Sequence, residues 1–368
     1  MGAAAGACRS ASSGGIDAIA AEYVRLARVE DGHGAEYLEA VANARSRLQD
    51  IQEQDGRRAF LLAQLHALER RAKVVAGERI AIRDEAATLG MTVPAYDATR
   101  AEGLRAELQK ALPGAGTLPA RLAAHRRANA VPRSSLDTVA SRSVEECRAR
   151  TPPLHDVPDG GVELRYVVDT PWPAYTNLEP GTGNPNAEPG TRNRNRNRNL
   201  RSVVALRRDV AWLEDDLLAV VCHETYPGHH VQQLIWSDLR MNRGWQEFAV
   251  TPMFTPLAVM AERAANAATL LVVSREKRSA VSRILDDFAP LALSTAVAVA
   301  DGELDRRAGI ARLRDELLMP DPEGFLAFVT EYRAMAVAYV SPLPEMKGWS
   351  EYLSLLRSPE RLVGSARR

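Results

Sequence analysis

Residues 223–230 read His-Glu-Thr-Tyr-Pro-Gly-His-His and contain three of the seven histidines in the chain. An apolar pattern with helical spacing precedes them over residues 212–222, so the cluster is predicted to continue a buried helix. Proline has no N–H for the helical ladder, and glycine adopts backbone angles that are closed to other residues. A chain with this segment therefore has to bend or break its helix at Pro227 and Gly228.

The same residues have the chemistry of a zinc site. Neutral imidazoles bind Zn²⁺ well, and a carboxylate beside a ligand can take a proton as a general base, which is the predicted role of Glu224. On a straight helix His230, seven residues after His223, would lie roughly 10 Å further along the axis. Zinc–nitrogen bonds are only about 2.0–2.1 Å long, so the break must return the second ligand to the first. His229 needs the smaller distortion and is preferred, with His230 as the alternative.

Charge and hydropathy exclude several classes of partner. The chain has 47 basic and 47 acidic residues and so carries no formal net charge. Binding to nucleic acid or to an anionic membrane usually requires a basic excess, so neither partner is expected. The longest apolar runs carry charges and fall short of the ~20 residues of a membrane span. The sequence therefore predicts a soluble enzyme and leaves its oligomeric state open.

The N-terminus and the cysteines bear on location. Residues 1–15 are small and polar, without the basic start and apolar stretch of a secretory signal, and are predicted to be disordered. Cys8, Cys147 and Cys222 are far apart and odd in number, which predicts a reducing, cytoplasmic environment rather than a disulfide framework. Cys222 precedes His223 directly, but adjacent helical residues point about 100° apart, so Cys222 is predicted to pack in the core.

The region 16–150 is predicted to be helical almost throughout. Apolar residues at helical spacing mark helices over residues 16–29, 36–54, 58–77, 118–129 and 134–149. A further helix carries Leu104 and Leu108 and ends at Pro113 and Gly114. No linker separates this region from the next part of the chain, which favours one cooperative domain overall.

The region 151–210 differs in character from its surroundings. Residues 162–169 and 202–207 alternate enough to predict two strands, which would lie beside the metal-binding helix and hold an extended substrate. Between them lies a low-complexity insertion over residues 180–199, which ends in four Arg-Asn pairs. It is predicted to be a disordered surface segment, and an anion-binding loop is the alternative. The region 211–368 then returns to helices, predicted over residues 257–276, 278–300, 303–317, 323–339 and 349–357.

Residues 223–232, which include the histidine motif, resemble the signature of the bacterial family called domain of unknown function 885. The segments Leu-Pro-Gly-Ala-Gly-Thr-Leu-Pro-Ala-Arg at 112–121, Tyr-Val-Val-Asp-Thr-Pro-Trp at 166–172 and Ser-Val-Val-Ala-Leu-Arg-Arg-Asp at 202–209 also resemble segments of that family, in the same order. The resemblance covers the chain from about residue 18 to 360. Members of the family look like relatives of the gluzincin metallopeptidases, which bind zinc through two histidines and a downstream glutamate.

The resemblance implies that the third zinc ligand lies on a later helix, and Glu262 is the candidate. Residues 257–271 are apolar nearly all round, so a carboxylate there is costly unless it is paired or bound to a metal. The family typically has a glycine after this glutamate, whereas this chain has Arg263. Glu276 and Glu247 are the alternative carboxylates, and both lie in more polar surroundings, where they are expected to be solvated.

Two residues of a late helix are implied by the resemblance alone. Relatives carry an arginine and a tyrosine in a similar helix, and gluzincins often use a late tyrosine or histidine to stabilise the oxyanion. Tyr339 is therefore expected to be catalytic and Arg333 to bind a substrate carboxylate.

Together these arguments predict a large, mainly α-helical, zincin-like fold with a small β-element beside the metal-binding helix and a cleft between helical halves. The expected activity is zinc-dependent hydrolysis of an amide bond in a peptide or a peptide-like small molecule. Two alternatives remain open: a metalloenzyme of another reaction class that acts on one specialised metabolite, and a non-catalytic zinc-binding scaffold.

Overall fold

The computed structural model describes residues 15–29, 32–52, 54–154, 160–180, 200–341 and 348–359. In these residues the chain is mainly helical with one small three-stranded sheet, which confirms the predicted fold class. They fall into two compact units. The first takes its described residues from 1–79, 239–257 and 358–368, and the second from 80–238 and 258–357. The division at residue 79 falls inside the region 16–150 rather than at its end.

The first unit is built on three helices whose apolar stripes were visible in the sequence. Its helices are α1 (Ile16–Ala27), α2 (Ala35–Gln49) and α3 (Asp55–Val75). Ile19 and Tyr23 of α1 are fully buried, as are Leu61 and Leu65 of α3. Their spacing of four residues puts each pair on one face of its helix, which explains the packing of these helices.

A buried ion pair lies in the core of the first unit. Arg57 donates from Nε to Glu247 at 2.6 Å and from a terminal nitrogen to the same carboxylate at 2.8 Å. Glu247 is completely buried, where a carboxylate is tolerated only with such a partner. The expectation that Glu247 is solvated is therefore wrong, and its charge is compensated by arginine rather than by a metal.

The remaining helices follow the predicted pattern closely. They are α4 (Ile82–Thr88), α5 (Ala98–Ala111), α6 (Leu118–Asn129), α7 (Leu136–Arg150), α8 (Glu214–Glu224), α9 (His229–Arg243), α10 (Pro256–Val272), α11 (Ala280–Ala300), α12 (Arg306–Ala311), α13 (Pro322–Ala338) and α14 (Trp349–Arg357). Side-chain caps begin five of them; for example, Asp97 accepts from the amide of Arg100 and Thr117 from that of Ala120. Helix α4 was not indicated by the sequence patterns.

The sheet contains the two predicted strands and one more. Strand β1 (Val162–Val167) pairs in parallel with β3 (Leu200–Arg207), and β2 (Ala174–Pro180) pairs antiparallel with the other side of β3. Residues 203–206 of the central strand are buried, so β3 forms the apolar floor of the sheet. The added strand β2 lies at an edge of this sheet.

The cysteines contradict the prediction made from their spacing. Cys147 of α7 and Cys222 of α8 form a disulfide across 75 positions of sequence, and both are buried. Cys222 does pack in the core as predicted, but as half of a covalent link between two helices. The reducing compartment was inferred from the absence of such a link, so the cytoplasmic location loses that support.

Two other predicted features lie outside the described residues. These are the disordered N-terminus, of which only Gly15 is described, and the insertion over 180–199 with its Arg-Asn pairs, of which only Pro180 is described. Across the described helices, none combines the length and the apolar character that a membrane crossing requires.

The disulfide gives a prediction about stability. The double variant Cys147→Ser/Cys222→Ser should unfold at lower denaturant concentration, with a loss of about 2–4 kcal/mol, because the unfolded chain regains the freedom that a 75-residue crosslink removes. Thiol titration of the denatured wild-type protein should find one free thiol, and Cys8→Ser, as the control, should leave stability unchanged. Three free thiols in protein from an oxidising preparation would contradict the pairing.

Candidate metal centre

The helix that carries the histidine motif breaks where the sequence predicted. Helix α8 ends at Glu224 and α9 begins at His229, with a non-helical backbone at Thr225 (φ −112°, ψ −108°). A Cβ atom on Gly228 would lie 1.7 Å from the carbonyl oxygen of His223, so only glycine fits this approach. The turn is thereby folded back against the end of α8, and the second histidine returns towards the first.

The break brings together the three predicted ligands. The rings of His223 and His229 are perpendicular, with centroids 4.7 Å apart. Nε2 of His223 lies 3.3 Å from Oε2 of Glu262, and Nε2 of His229 lies 3.4 Å from Oε1 of the same carboxylate. Two nitrogens and a carboxylate from three helices thus converge on one point, and this is a donor set that zinc accepts.

The structure distinguishes His229 from His230. His230 is completely buried, and its Nδ1 lies 2.8 Å from the hydroxyl of Ser202 in β3. Its ring also packs edge-on against Tyr226. His230 therefore faces the sheet, while His229 faces Glu262, so the arrangement supports His229 as the ligand and not the alternative His230.

Gln232, which the sequence analysis did not single out, fixes the tautomer of His229. Its Nε2 donates to the carbonyl of Ala261 at 2.8 Å, so its oxygen is the atom that lies 2.9 Å from Nδ1 of His229. An amide oxygen only accepts, hence Nδ1 carries a proton, and Nε2, which faces Glu262, is the nitrogen that bears the lone pair when the ring is neutral. The spacing in the sequence could have indicated this contact, because Gln232 lies three residues after His229 and so on the same face of α9.

The environment of Glu262 fits a cation. Its Oε2 is buried, and among the described residues it accepts no hydrogen bond, although Nε2 of His223 is only 3.3 Å away. Burial alone would raise the pKa of Glu262, but the imidazoles of His229 and His223 hold it well below its usual range. Burial alone would lower the pKa of His229, but the charge of Glu262 outweighs it and raises that pKa to about 9. The site therefore attracts positive charge, which a proton or a metal ion can supply.

Glu224 is a second carboxylate within reach. One of its oxygens and one nitrogen from each of His223 and His229 all lie within 4.8 Å of one another, so proximity alone would also allow Glu224 to be a ligand. The hydrogen bonds favour a different role. The hydroxyl of Thr176 lies 2.7 Å from Oε2 of Glu224, whereas both oxygens of Glu262 face histidine nitrogens. The contacts therefore favour Glu262 over Glu224 as the third candidate ligand.

Tyr339 lies close to these carboxylates. The amide of Asn266, four residues after Glu262 on α10, lies 3.5 Å from the carbonyl oxygen of Tyr339. Burial raises the pKa of the Tyr339 phenol, and the negative charges of Glu262 and Glu224 raise it further. Its hydroxyl therefore stays protonated and is a hydrogen-bond donor near the site.

Arg333 does not have the substrate-binding arrangement that was predicted for it. Its Nε donates to Oε2 of the buried Glu85 at 2.8 Å, and a terminal nitrogen bonds the carbonyl of Ile80. The guanidinium thus compensates a carboxylate inside the fold, and a role in binding the carboxylate of a substrate has no support in this arrangement. The remaining alternative ligand, Glu276, belongs to a short exposed turn at Arg275–Lys277 and not to the cluster.

Two further contacts hold the motif in place, and sequence reasoning missed both. Tyr352 of α14 is completely buried and donates to the carbonyl of Pro227 at 2.6 Å. Gln233 of α9 donates to the carbonyl of Thr176 at 3.1 Å. The turn between α8 and α9 is thus fixed by α14, and the edge strand β2 is fixed to α9.

Comparison with known proteins adds little to this geometry. No family model matches the chain, and no curated protein matches it. A solved structure of a protein from Colwellia psychrerythraea, named as a candidate lipoprotein, is 12% identical over 86% of this chain with a TM-score of 0.46. This chain spans 60% of that protein. The resemblance to the domain of unknown function 885 family stays a prediction.

The protonation of His229 predicts how zinc binding depends on pH. Without metal the ring is protonated below its pKa of about 9, and zinc requires the neutral ring, so one proton must leave when the ion binds. The apparent zinc affinity should therefore rise about tenfold per pH unit between pH 6 and pH 8. Competition with a chromophoric chelator measures the affinity, and calorimetry in two buffers counts the proton. An affinity that does not change with pH would contradict this assignment.

The contact of Gln232 predicts a contribution to metal affinity. Gln232→Leu removes the acceptor of the Nδ1 proton, so zinc affinity should fall about 10–100-fold while the helical signal is retained. The adjacent residue provides a matched control, because Gln233→Leu removes an amide that contacts Thr176 and not His229. Equal losses of affinity in the two variants would show that the effect is general loosening of α9.

Proposed function

We propose that this chain is a zinc-dependent hydrolase of the gluzincin type, which cleaves an amide bond in a peptide or a peptide-like small molecule. One observation carries the proposal: the two Nε2 atoms of His223 and His229 meet both oxygens of Glu262, with a second buried carboxylate beside them. A structural zinc site has no need of that second carboxylate, whereas hydrolysis needs a base.

Zn²⁺ held by His223, His229 and Glu262 would supply Lewis acidity, which polarises a carbonyl and acidifies water. Glu224 takes the proton that leaves the attacking water at its carboxylate. The hydroxyl of Thr176 at 2.7 Å from Oε2 fixes the orientation of that carboxylate. Glu224 then delivers the proton to the nitrogen of the leaving amine, so the base returns to its starting state.

Tyr339 would stabilise the negative charge that develops on the carbonyl oxygen of the substrate. The carbonyl oxygen of an amide gains charge as water adds, and a preorganised O–H donor stabilises it. The raised pKa of Tyr339 keeps its hydroxyl protonated for this purpose. The contact of its backbone with Asn266, one helical turn after Glu262, holds the residue beside the ligand helix.

The edge strand β2 is assigned to substrate alignment. The carbonyl of Thr176 accepts from Gln233, and the carbonyl of Pro173 accepts from the amide of Arg207 at the end of β3. Since outward and inward residues alternate along an antiparallel strand, every second residue of β2 turns its backbone groups away from β3. An extended substrate would pair with the outward groups that Gln233 does not occupy, beside the base that Thr176 contacts.

The test separates hydrolysis from metal binding. Glu224→Gln should retain zinc and lose about 10²–10⁴-fold in kcat, because only the proton acceptor is removed. His223→Ala and Glu262→Ala should each lose the metal. Metal content is measured by elemental analysis, and turnover by mass spectrometry of a blocked-peptide library. The cytoplasmic location is tested separately, by fractionating cells that express the untagged chain.

The exposed Glu107→Gln serves as the control and should leave both metal content and turnover unchanged. If Glu224→Gln turns over at the wild-type rate, the hydrolytic role is refuted. Zinc binding with no turnover of any peptide by the wild type would favour the two alternatives, a metalloenzyme for one specialised metabolite or a zinc-binding scaffold.

A further inference from the structure

Aromatic residues make up only 5% of the chain, yet five of them gather in one place. Trp172 is at the centre, with ring centroids 4.3 Å from Tyr332, 5.2 Å from Phe328 and 5.5 Å from Tyr339. Phe328 continues the group to Phe325 at 6.4 Å. We refer to these five residues as the aromatic cluster. Four of them belong to α13 or its C-terminal cap, and the fifth lies two residues before the start of β2.

The cluster is not an ordinary piece of core. All five of its side chains are half-buried, whereas core aromatics such as Tyr23, Phe60 and Tyr352 are almost completely enclosed. Large rings that only pack the interior gain most when they are fully covered. A contiguous group with accessible faces is instead typical of a surface that receives another apolar group.

One side of the cluster is fixed next to α10, the helix that carries Glu262. The amide of Asn266 lies 3.5 Å from the carbonyl oxygen of Tyr339. Asn266 follows Glu262 by four residues, which is a rise of about 6 Å along α10. Tyr339 thus links the cluster to the residue that is assigned to the metal.

The other side is fixed next to the proposed base. Trp172 precedes Thr176 by four residues, so even a fully extended chain places their Cα atoms at most about 14 Å apart. The hydroxyl of Thr176 holds Oε2 of Glu224 at 2.7 Å. Two independent connections, one through α10 and one through β2, therefore locate the cluster beside the same site.

The backbone within α13 is strained at the cluster. Arg333, directly after Tyr332, has φ 49° and ψ −125°, a conformation that residues other than glycine rarely adopt. Its side chain is held by the buried Glu85 and by the carbonyl of Ile80. Strain of this kind persists where the surroundings enforce it, and it is concentrated at functional sites. Here it separates the segment with Phe328 and Tyr332 from the segment with Tyr339.

We propose that the aromatic cluster is a specificity subsite, which binds an aromatic or large aliphatic side chain of the substrate next to the amide bond that is hydrolysed. The inference rests on the proposed function and names the substrate class for that site. Stacking on Trp172 and Tyr332 would select planar or bulky apolar groups, and Tyr339 would join this contact to the reacting carbonyl. Peptides with a small or an acidic residue at the same position lose these contacts.

The test compares blocked tetrapeptides that are identical except for glycine or phenylalanine at each position in turn. One position should show a preference for phenylalanine of about tenfold or more in kcat/KM. Trp172→Ala should reduce this ratio at least fivefold, chiefly through KM, and Trp172→Phe should restore most of it. Tyr332→Ala provides a second truncation in case the tryptophan variant fails to fold. The control is Trp245→Leu in the first unit, which should leave the ratio and the activity unchanged.

The outcomes separate this inference from the proposed hydrolysis. Turnover without a preference for phenylalanine, or a preference that both truncated variants retain, would refute the proposed subsite and leave the proposed hydrolase activity in place. If the wild type hydrolyses no peptide, binding of the same peptides to the zinc-loaded protein decides the matter by calorimetry. A phenylalanine peptide that binds at least fivefold tighter than its glycine match, with the difference lost in Trp172→Ala, supports the subsite alone. Equal binding of the two peptides overturns it.

Discussion

The close approach of Gly228 to the carbonyl of His223 is the contact on which the rest of the site depends. A Cβ atom there would lie 1.7 Å from that oxygen, so any other residue would push the turn away from the end of α8. His229 would then move out of reach of His223, and Glu262 would face one imidazole in place of two. Tyr352, through its bond to the carbonyl of Pro227, holds the same turn from outside. The packing of the backbone in this turn, more than the ligand side chains themselves, therefore determines the geometry of the candidate metal centre.

Most helices could be predicted because they obey a single periodicity and are bounded by Gly, Pro or capping residues. The helix over 349–357 was placed at its observed bounds for this reason. Strand β2 was missed because residues 174–180 include Asn177 and Pro180 and show no clear alternation. The pairing of Cys147 with Cys222 was missed because 75 residues separate them, and spacing carries no information about contact at that distance.

The site divides in the same way between what local sequence determines and what only the fold determines. His223, Glu224 and the break after them follow from eight consecutive residues, and Glu262 follows from the cost of a carboxylate on an apolar helix. Gln232 and Thr176 act through neighbours from other parts of the chain, so their roles appear only when α9, α10 and β2 are assembled. Arg333 shows the opposite case. Its place in a late helix suggested that it binds substrate, but its guanidinium is bonded to Glu85 and to the carbonyl of Ile80.

The charges of the centre explain why two buried carboxylates are tolerated so close together. Without a metal, protonated His229 balances Glu262. A divalent cation beside a neutral imidazole would balance Glu262 and an ionised Glu224. In the proposed hydrolysis, transfer of a proton to Glu224 would leave the centre one unit positive as the carbonyl oxygen of the substrate becomes negative. Because the protonated phenol of Tyr339 is neutral, it would stabilise that oxygen without disturbing this balance.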